Sequence, residues 1–218
     1  MSGTADSLAA SIPDGAFLAL PPDNSLAPNA LAHALVRRGV RGLRLLGVPV
    51  SGYATDLLIG AGCVASVETS AVTLGEAGGA PRFLAALRAG RIVLRDATCP
   101  AIHTGLQAAE KGVPFMPLRG LLGSDILAHR PDWRVIDNPF AEGGGGPARG
   151  GGEADPIVLL PALVPDFALF HAVAADAEGN VWVGRHRECA TIAHAARRTL
   201  VTVERRLPGR FLDDERMA

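Results

Sequence analysis

The segment Ile157-Val-Leu-Leu-Pro-Ala-Leu-Val-Pro-Asp-Phe-Ala-Leu-Phe-His171 decides the fold class, because its two apolar runs are separated only by a short stretch with proline and aspartate. Runs of this kind are typical of strands buried on both faces of an α/β sheet. Trp133-Arg-Val-Ile-Asp-Asn-Pro-Phe140 precedes this segment, and Ala195-Ala-Arg-Arg-Thr-Leu-Val-Thr-Val203 follows it. We therefore expect the region 133–203 to supply buried strands.

Strand and helix patterns alternate through the rest of the chain. Apolar runs predict strands at 16–20, 43–47, 63–68, 91–94, 115–118, 157–161, 167–172, 181–183 and 199–203. Apolar spacing with helix start and stop signals predicts helices at 29–38, 53–59, 81–89, 97–111 and 188–197. Because strands that alternate with helices are joined by parallel crossovers, we expect an α/β fold with an open, mostly parallel sheet flanked by helices.

The predicted elements fit one domain over residues 13–206. Composition predicts loose termini at 1–12 and 207–218. It also predicts a flexible, exposed loop at 141–155, where glycine predominates. A phosphate-binding glycine loop is an alternative for 141–155, although no Lys-Ser/Thr pair follows it and no strand leads directly into it.

Bulk composition excludes several classes of protein. The net charge is −1, which gives no sign of a nucleic-acid or membrane partner. No apolar run approaches the length that spans a bilayer, and the N-terminus lacks the basic start of a signal peptide. The three cysteines, Cys63, Cys99 and Cys189, form no CxxC pair, so we expect reduced core thiols, no metal site and a cytoplasmic protein.

Several short segments, in their order and spacing, resemble the alpha subunit of family I coenzyme A transferases. The likeness extends over residues 13–206 and is greatest to the glutaconate type, whose relatives include ring-opening hydrolases of coenzyme A thioesters. The matching segments are Asp56-Leu-Leu-Ile-Gly-Ala-Gly62, Pro81-Arg-Phe83, Gly112-Val-Pro-Phe-Met-Pro117, Leu122-Gly-Ser-Asp125, Ile136-Asp-Asn-Pro-Phe140, Pro161-Ala-Leu-Val-Pro-Asp-Phe167 with His171, Asp176-Ala-Glu-Gly-Asn180 and Arg198-Thr-Leu-Val-Thr-Val203.

This resemblance implies an alpha subunit that works with a beta subunit to move coenzyme A between carboxylic acids. It implies that the glutamate nucleophile lies on the partner, so that this chain is inactive alone. The substrates would be an acyl-coenzyme A and a carboxylic acid, and no cofactor would be bound permanently. We expect no nucleic-acid or membrane partner.

Five residues are candidates for the site. By resemblance to the hydrolases, Glu76 is the first candidate for a general base and Glu68 the second; the alternative is a solvated loop carboxylate. Ser70 and Ser124 are candidates to bind a substrate carboxylate, and the alternative is that each caps backbone groups. Asn24 is a further candidate for substrate binding.

The first strand departs from the family pattern. Family members carry a Gly-Gly-Phe turn after this strand, whereas this chain has Ala19-Leu-Pro-Pro-Asp-Asn24. Two prolines remove N–H donors from the turn. This difference keeps a further hypothesis open, namely a non-catalytic scaffold or an acyl-coenzyme A-binding member of the family.

Overall fold

A computed structural model describes residues 3–140 and 155–213, so most of the predicted loop at 141–155 lies outside the described residues. The helices are α1 Ala5–Ala10, α2 Asn29–Arg38, α3 Tyr53–Gly60, α4 Pro81–Arg88, α5 Cys99–Glu110 and α6 Arg187–Ala195. The strands are β1 Phe17–Leu20, β2 Leu43–Gly47, β3 Val50–Ser51, β4 Val64–Thr69, β5 Ala71–Val72, β6 Val93–Asp96, β7 Phe115–Leu118, β8 Arg134–Asp137, β9 Pro156–Pro161, β10 Phe167–Ala175, β11 Val181–Trp182 and β12 Arg198–Arg206.

The main sheet has the order β12-β10-β1-β2-β4-β6, and all of these strands are parallel. The short strand β11 pairs antiparallel with β10 after the turn at residues 176–180. The prediction of an open, mostly parallel sheet is therefore confirmed.

The side chains of the central strands point alternately to the two faces of this sheet, and each face carries a hydrophobic core. Leu18 and Leu45 point to one face, where α1 to α4 pack, and Ala19 and Leu46 point to the other, where α5 and α6 pack. Successive side chains of a strand point to opposite faces, so continuous apolar runs are required when both faces are covered.

A second sheet, predicted to be part of the first, has the antiparallel order β7-β9-β8. The expectation that strands of the region 133–203 are buried on both faces is wrong for β8, whose four residues are exposed. Phe115 of β7 and Ile136 of β8 also leave 47% and 39% of their area in solvent. Short apolar runs have the same sequence pattern in both sheets, so the sequence does not show which strands pair with one another.

Residues 3–12 are ordered, whereas the sequence predicts a loose end at 1–12. The Thr4 side chain caps α1 by accepting a hydrogen bond from the Ser7 N–H at 3.2 Å. Ala9 and Ile12 are fully buried against the core that contains α2. A six-residue helix is marginal by itself, so this packing is what stabilises it.

The segment after β12 is also held in place, contrary to prediction, as far as Asp213, the last described residue. Phe211 is buried, and its N–H donates to the Asp176 carboxylate at 3.1 Å. Burial raises the pKa of Asp176, but hydrogen bonds from the Asn180 side chain and from the N–H groups of Phe211, Asn180 and Glu178 outweigh it and lower the pKa to about 2. The ionised Asp176 therefore anchors the C-terminal segment.

We expect this anchor to weaken in acid. The pKa of Asp176 is lower in the folded chain than in the unfolded one, so its contribution to stability is present above pH 4 and is lost as the pH falls through about 2. Asp176→Asn should therefore lower the urea midpoint of unfolding at pH 5, and the difference from wild type should shrink between pH 4 and pH 2. A difference that is constant across this range would contradict the assignment.

No helix among the described residues is both long and apolar enough to cross a bilayer.

Candidate functional site

The carboxyl ends of β1, β2, β4 and β6 lie side by side, because these strands are neighbours and parallel. Ligands of open α/β sheets bind outside this edge, near the point where the strand order reverses. Here β2, β4 and β6 follow on one side of β1, whereas β10 and β12 lie on its other side. We define the carboxyl edge as the loops that leave these ends: residues 21–28, 48–52, 70–80 and 97–98.

The loop 21–28, after β1, is fixed by hydrogen bonds to its neighbours. The Asp23 carboxylate accepts the Tyr53 N–H at 2.7 Å. A Cβ at Gly52 would lie 2.2 Å from Asp23 Cγ, so only glycine allows this approach. Leu26 adopts a φ of +62°, a left-handed conformation that costs a leucine about 1–3 kcal/mol. Its carbonyl accepts the His171 N–H at 2.7 Å, which helps to hold this conformation.

A second close approach joins the ends of β2 and β4. A Cβ at Gly47 would lie 2.2 Å from Ser51 Oγ and 2.6 Å from Thr69 Oγ1. Ser51 is only 1% exposed, and its hydroxyl has no hydrogen-bond partner among the described residues. Such buried, unpaired hydroxyls are rare in folded proteins. Because Gly47 has no side chain, the loops after β2 and β4 can approach each other this closely.

Ser70 and Cys99 meet where the loops after β4 and β6 leave the sheet. Ser70 Oγ donates to the Pro49 carbonyl at 2.8 Å and lies 3.4 Å from Cys99 Sγ. Cys99 begins α5, directly after the capping residue Thr98, and is exposed. The prediction of a core cysteine is therefore wrong for Cys99, because the helix starts two residues later than predicted and places it at the edge.

The other two thiols are buried, as predicted. Burial raises the pKa of the Cys63 thiol, although nearby Arg41 opposes it. Burial, with a smaller contribution from Glu188, raises the pKa of Cys189 to about 12. Both groups are thus uncharged and inert at neutral pH.

Glu68 lies inside β4 and not in the loop after it, and its carboxylate is ion-paired. Oε1 accepts from Arg130 Nη2 at 2.7 Å, and Oε2 lies 3.4 Å from Arg95 Nε. Asp132 accepts from both arginines, at 2.9 Å from Arg130 Nη2 and 3.0 Å from Arg95 Nη2. A general base needs a free carboxylate within reach of the substrate, which this pairing does not provide for Glu68.

The charges in this cluster stabilise one another. Burial lowers the pKa of Arg130, but its hydrogen bond to Asp132 and the charges of Glu68 and Asp132 outweigh this and raise the pKa above its usual value. The hydrogen bond from Arg130 in turn lowers the pKa of Asp132. The guanidinium also stacks on the Trp133 ring, 4.1 Å from its centroid.

The remaining candidates have simpler surroundings. Glu76 is exposed on the single 3-10 turn Gly75–Ala77. Ser124 Oγ accepts the Ile126 N–H at 3.3 Å and so caps a short turn, which is the alternative that the sequence left open. Asn24 is exposed on loop 21–28. Ser70, Glu76 and Asn24 therefore occupy loops of the carboxyl edge, whereas Glu68 lies in β4 and Ser124 does not lie in these loops. Among the described residues, no hydrogen bond joins any two of the five candidates.

Sequence reasoning missed two residues of this region. Arg130 comes 62 positions after Glu68, and no local pattern marks the pair. Cys99 had a usable signal, because Thr98-Cys99-Pro100 carries a capping residue followed by a proline in the first turn of the helix.

Comparison with known proteins identifies the family. The family model described as coenzyme A transferase matches residues 3–215. The chain belongs to the coenzyme A transferase family. The A subunit of 3-oxoadipate CoA-transferase from Pseudomonas knackmussii is 30% identical over 198 residues, which are 88% of this chain and 64% of that protein. The cholesterol ring-cleaving hydrolase IpdA subunit of Rhodococcus jostii is 33% identical over 155 residues, 70% of this chain and 49% of that protein.

Two solved structures share the fold of this chain. Glutaconate coenzyme A-transferase from Acidaminococcus fermentans matches with a TM-score of 0.81 and 27% identity, covering 94% of this chain and 67% of the other. The decarboxylase AibA/AibB matches with a TM-score of 0.82 and 29% identity, covering 95% and 76%. The chain spans about half to two thirds of the length of the two curated relatives named above, at 49% and 64%.

Proposed function

We propose that this chain is the alpha subunit of a two-subunit enzyme that transfers coenzyme A between carboxylic acids. The observation that carries the proposal is the family match over residues 3–215, together with the 30% identity to the A subunit of 3-oxoadipate CoA-transferase. The substrates are an acyl-coenzyme A and a carboxylic acid, and the partner is a beta subunit. No cofactor is held between turnovers.

The ion pairing of Glu68 supports a nucleophile on the partner. In this chemistry a free carboxylate attacks the acyl thioester to give an anhydride, which the coenzyme A thiolate then opens. Glu68 is engaged by two arginines, so its carboxylate is not free for this attack.

Asn24, at the carboxyl edge, and Ser124, whose hydroxyl accepts the Ile126 N–H and keeps its own O–H as a donor, are our candidates to bind the substrate acid. Ser70 is a third candidate, and to bind the acid it must give up the bond by which its single O–H donates to the Pro49 carbonyl.

A second candidate function is supported by the 33% identity to a ring-cleaving hydrolase subunit. In that case Glu76 is the general base for cleavage of a carbon–carbon bond in a coenzyme A thioester. Its exposed position leaves the carboxylate free to act once a partner covers the loop.

One variant distinguishes the two functions. The chain is co-expressed with its beta partner, and transfer of coenzyme A from an acyl donor to an acid is followed by mass spectrometry. We expect the complex to be active and the chain alone to be inactive. Glu76→Gln should leave the transfer rate within about twofold, whereas in the hydrolase the loss of a general base would reduce the rate of carbon–carbon cleavage about 10²–10⁴-fold.

The controls separate the remaining possibilities. Glu178→Gln changes an exposed glutamate on the turn after β10 and should leave the activity unchanged. A wild-type complex that shows no transfer but cleaves a carbon–carbon bond in a cyclic coenzyme A thioester, with that cleavage lost in Glu76→Gln alone, would overturn the transferase assignment in favour of the hydrolase. A complex that neither turns over nor binds acyl-coenzyme A in calorimetry would support the scaffold hypothesis instead.

A further inference from the structure

Arg130 is almost completely buried, at 3% exposure, although it carries a full charge. Its guanidinium donates in three directions. Nη2 donates to Glu68 Oε1 at 2.7 Å, Nε donates to Asp132 Oδ1 at 3.0 Å, and Nη1 donates to the carbonyl of Asp96 at 3.0 Å. The Trp133 ring covers the guanidinium plane. Nearly all of its hydrogen-bonding capacity is therefore used within the protein.

These three partners belong to different parts of the fold. Glu68 is the last residue but one of β4, and Asp96 is the last residue of β6. The two strands are neighbours in the main sheet, with Thr69 opposite Asp96. Asp132 lies in the segment that leads into β8 of the second sheet. One side chain thus joins the carboxyl ends of two parallel strands to the second sheet.

The loops that begin at this junction are part of the carboxyl edge. Ser70 follows β4 directly, and Thr98 and Cys99 come two and three residues after Asp96. The two loops touch where Ser70 Oγ lies 3.4 Å from Cys99 Sγ. A shift between the ends of β4 and β6 would therefore change the geometry at Ser70 and Cys99 first.

A cluster of buried charges contributes little net free energy to folding, so stability by itself does not explain it. Removing ions from water costs several kcal/mol for each ion, and apolar side chains of the same volume are often equally stable or better. A planar guanidinium with fixed donor directions provides directional constraint, which apolar contacts do not. The two arginines and two carboxylates of this cluster also balance in charge.

We propose that Arg130 is a positioning residue that sets the relative placement of the loops after β4 and β6, and through them the substrate geometry at the carboxyl edge. The structural part of this proposal, the placement of the two loops, rests only on the contacts described above. The catalytic part, the effect on substrate geometry, rests on the proposed function. Arg130 itself touches no substrate in this proposal, and Glu68 and Asp132 are the carboxylates that orient it.

The effect of Arg130 on the two loops is tested on the isolated chain by hydrogen exchange with mass spectrometry. In Arg130→Met, peptides that cover residues 66–73 and 94–101 should exchange at least about tenfold faster, while peptides at the opposite, amino edge of the sheet keep their protection. Glu68→Gln keeps the volume of the side chain and should give a smaller change in the same peptides. If the Arg130→Met chain does not accumulate, faster exchange of these peptides in Glu68→Gln tests the structural part in its place.

Asp166→Asn is the matched control, because Asp166 also ties strands together but at the amino edge. Its Oδ2 accepts the Phe17 N–H at 2.9 Å, at the start of β1. This variant should loosen the peptides around residues 14–18 and leave 66–73 and 94–101 unchanged. Uniform loosening in Arg130→Met and Glu68→Gln, or no change at 66–73 and 94–101, would overturn the proposal.

The catalytic part is tested on the complex with the beta subunit. We expect Arg130→Met to lower kcat about 10–100-fold, the loss that a displacement of about 1 Å brings, with a smaller change in KM for the acyl-coenzyme A. Arg130→Lys keeps the charge without the planar fork and should recover part of kcat. Asp166→Asn should retain kcat.

The outcomes separate this proposal from the proposed function. If the loops loosen in Arg130→Met but kcat is unchanged, the positioning role is wrong, although the transferase assignment stands. If the wild-type complex shows no transfer, the proposed function fails, and the positioning role in catalysis fails with it, while the exchange data still decide the structural part.

Discussion

Asp56→Ala is expected to lower the free energy of unfolding by about 2–4 kcal/mol, because it leaves a buried donor without an acceptor and an unfilled space. Asp56 lies in α3 and is completely buried. Its Oδ1 accepts the N–H of Phe83, in the first turn of α4, at 2.8 Å, and its Oδ2 accepts from Arg82 Nη1 at 3.0 Å. Chemical denaturation of the purified chain measures the loss.

The orphaned N–H, rather than the ion pair, accounts for most of this loss. Half of the Arg82 side chain is in solvent, so its charge is rehydrated when Asp56 is removed. Asp56→Asn keeps an acceptor for Phe83 and should cost clearly less than Asp56→Ala. Asp6→Ala removes an exposed ion pair with Arg37 and should change stability by less than about 1 kcal/mol. Equal losses in Asp56→Asn and Asp56→Ala would show that the charge matters more than the N–H.

Elements with strong local signals were predictable from sequence. The helix 29–38 and the strands 43–47 and 115–118 have the predicted bounds. The helix ends at Gly39, which adopts a φ of +73°, the left-handed conformation that glycine supplies at helix ends. The assignment of strands to two sheets was not predictable, because pairing depends on contacts between distant parts of the chain.

The candidate site was predictable as a region and not as an arrangement. Glu68 and Ser70 do lie at or next to the carboxyl edge. The partner that occupies Glu68 is Arg130, which the fold brings beside it from a distant segment. A carboxylate near a strand end looks the same in sequence whether it is free or ion-paired, so the state of Glu68 required the structure.

Gly105→Leu is expected to destabilise the chain by about 3 kcal/mol or more, because α5 packs too closely on its neighbour to admit a side chain. A Cβ at Gly105 would lie 2.8 Å from Leu163 Cγ and 3.1 Å from the carbonyl oxygen of Pro161. The Leu163 N–H also donates to the Gly105 carbonyl at 2.9 Å, so the two segments are fixed at this distance.

The sign of this effect is informative, because helix propensity predicts the opposite. Glycine inside a helix is about 0.8–1.0 kcal/mol less favourable than alanine, so Gly105→Ala would stabilise an isolated α5. In the folded chain the contact with the Pro161 backbone cannot relax by rotation of a side chain. We therefore expect Gly105→Ala to be destabilising overall and Gly105→Leu to be more so. Gln107→Leu places the same side chain at an exposed position of α5 and should be nearly neutral. Urea denaturation of the three variants measures these differences, and a stabilising Gly105→Ala would mean that the segment 161–163 moves away from α5 at little cost.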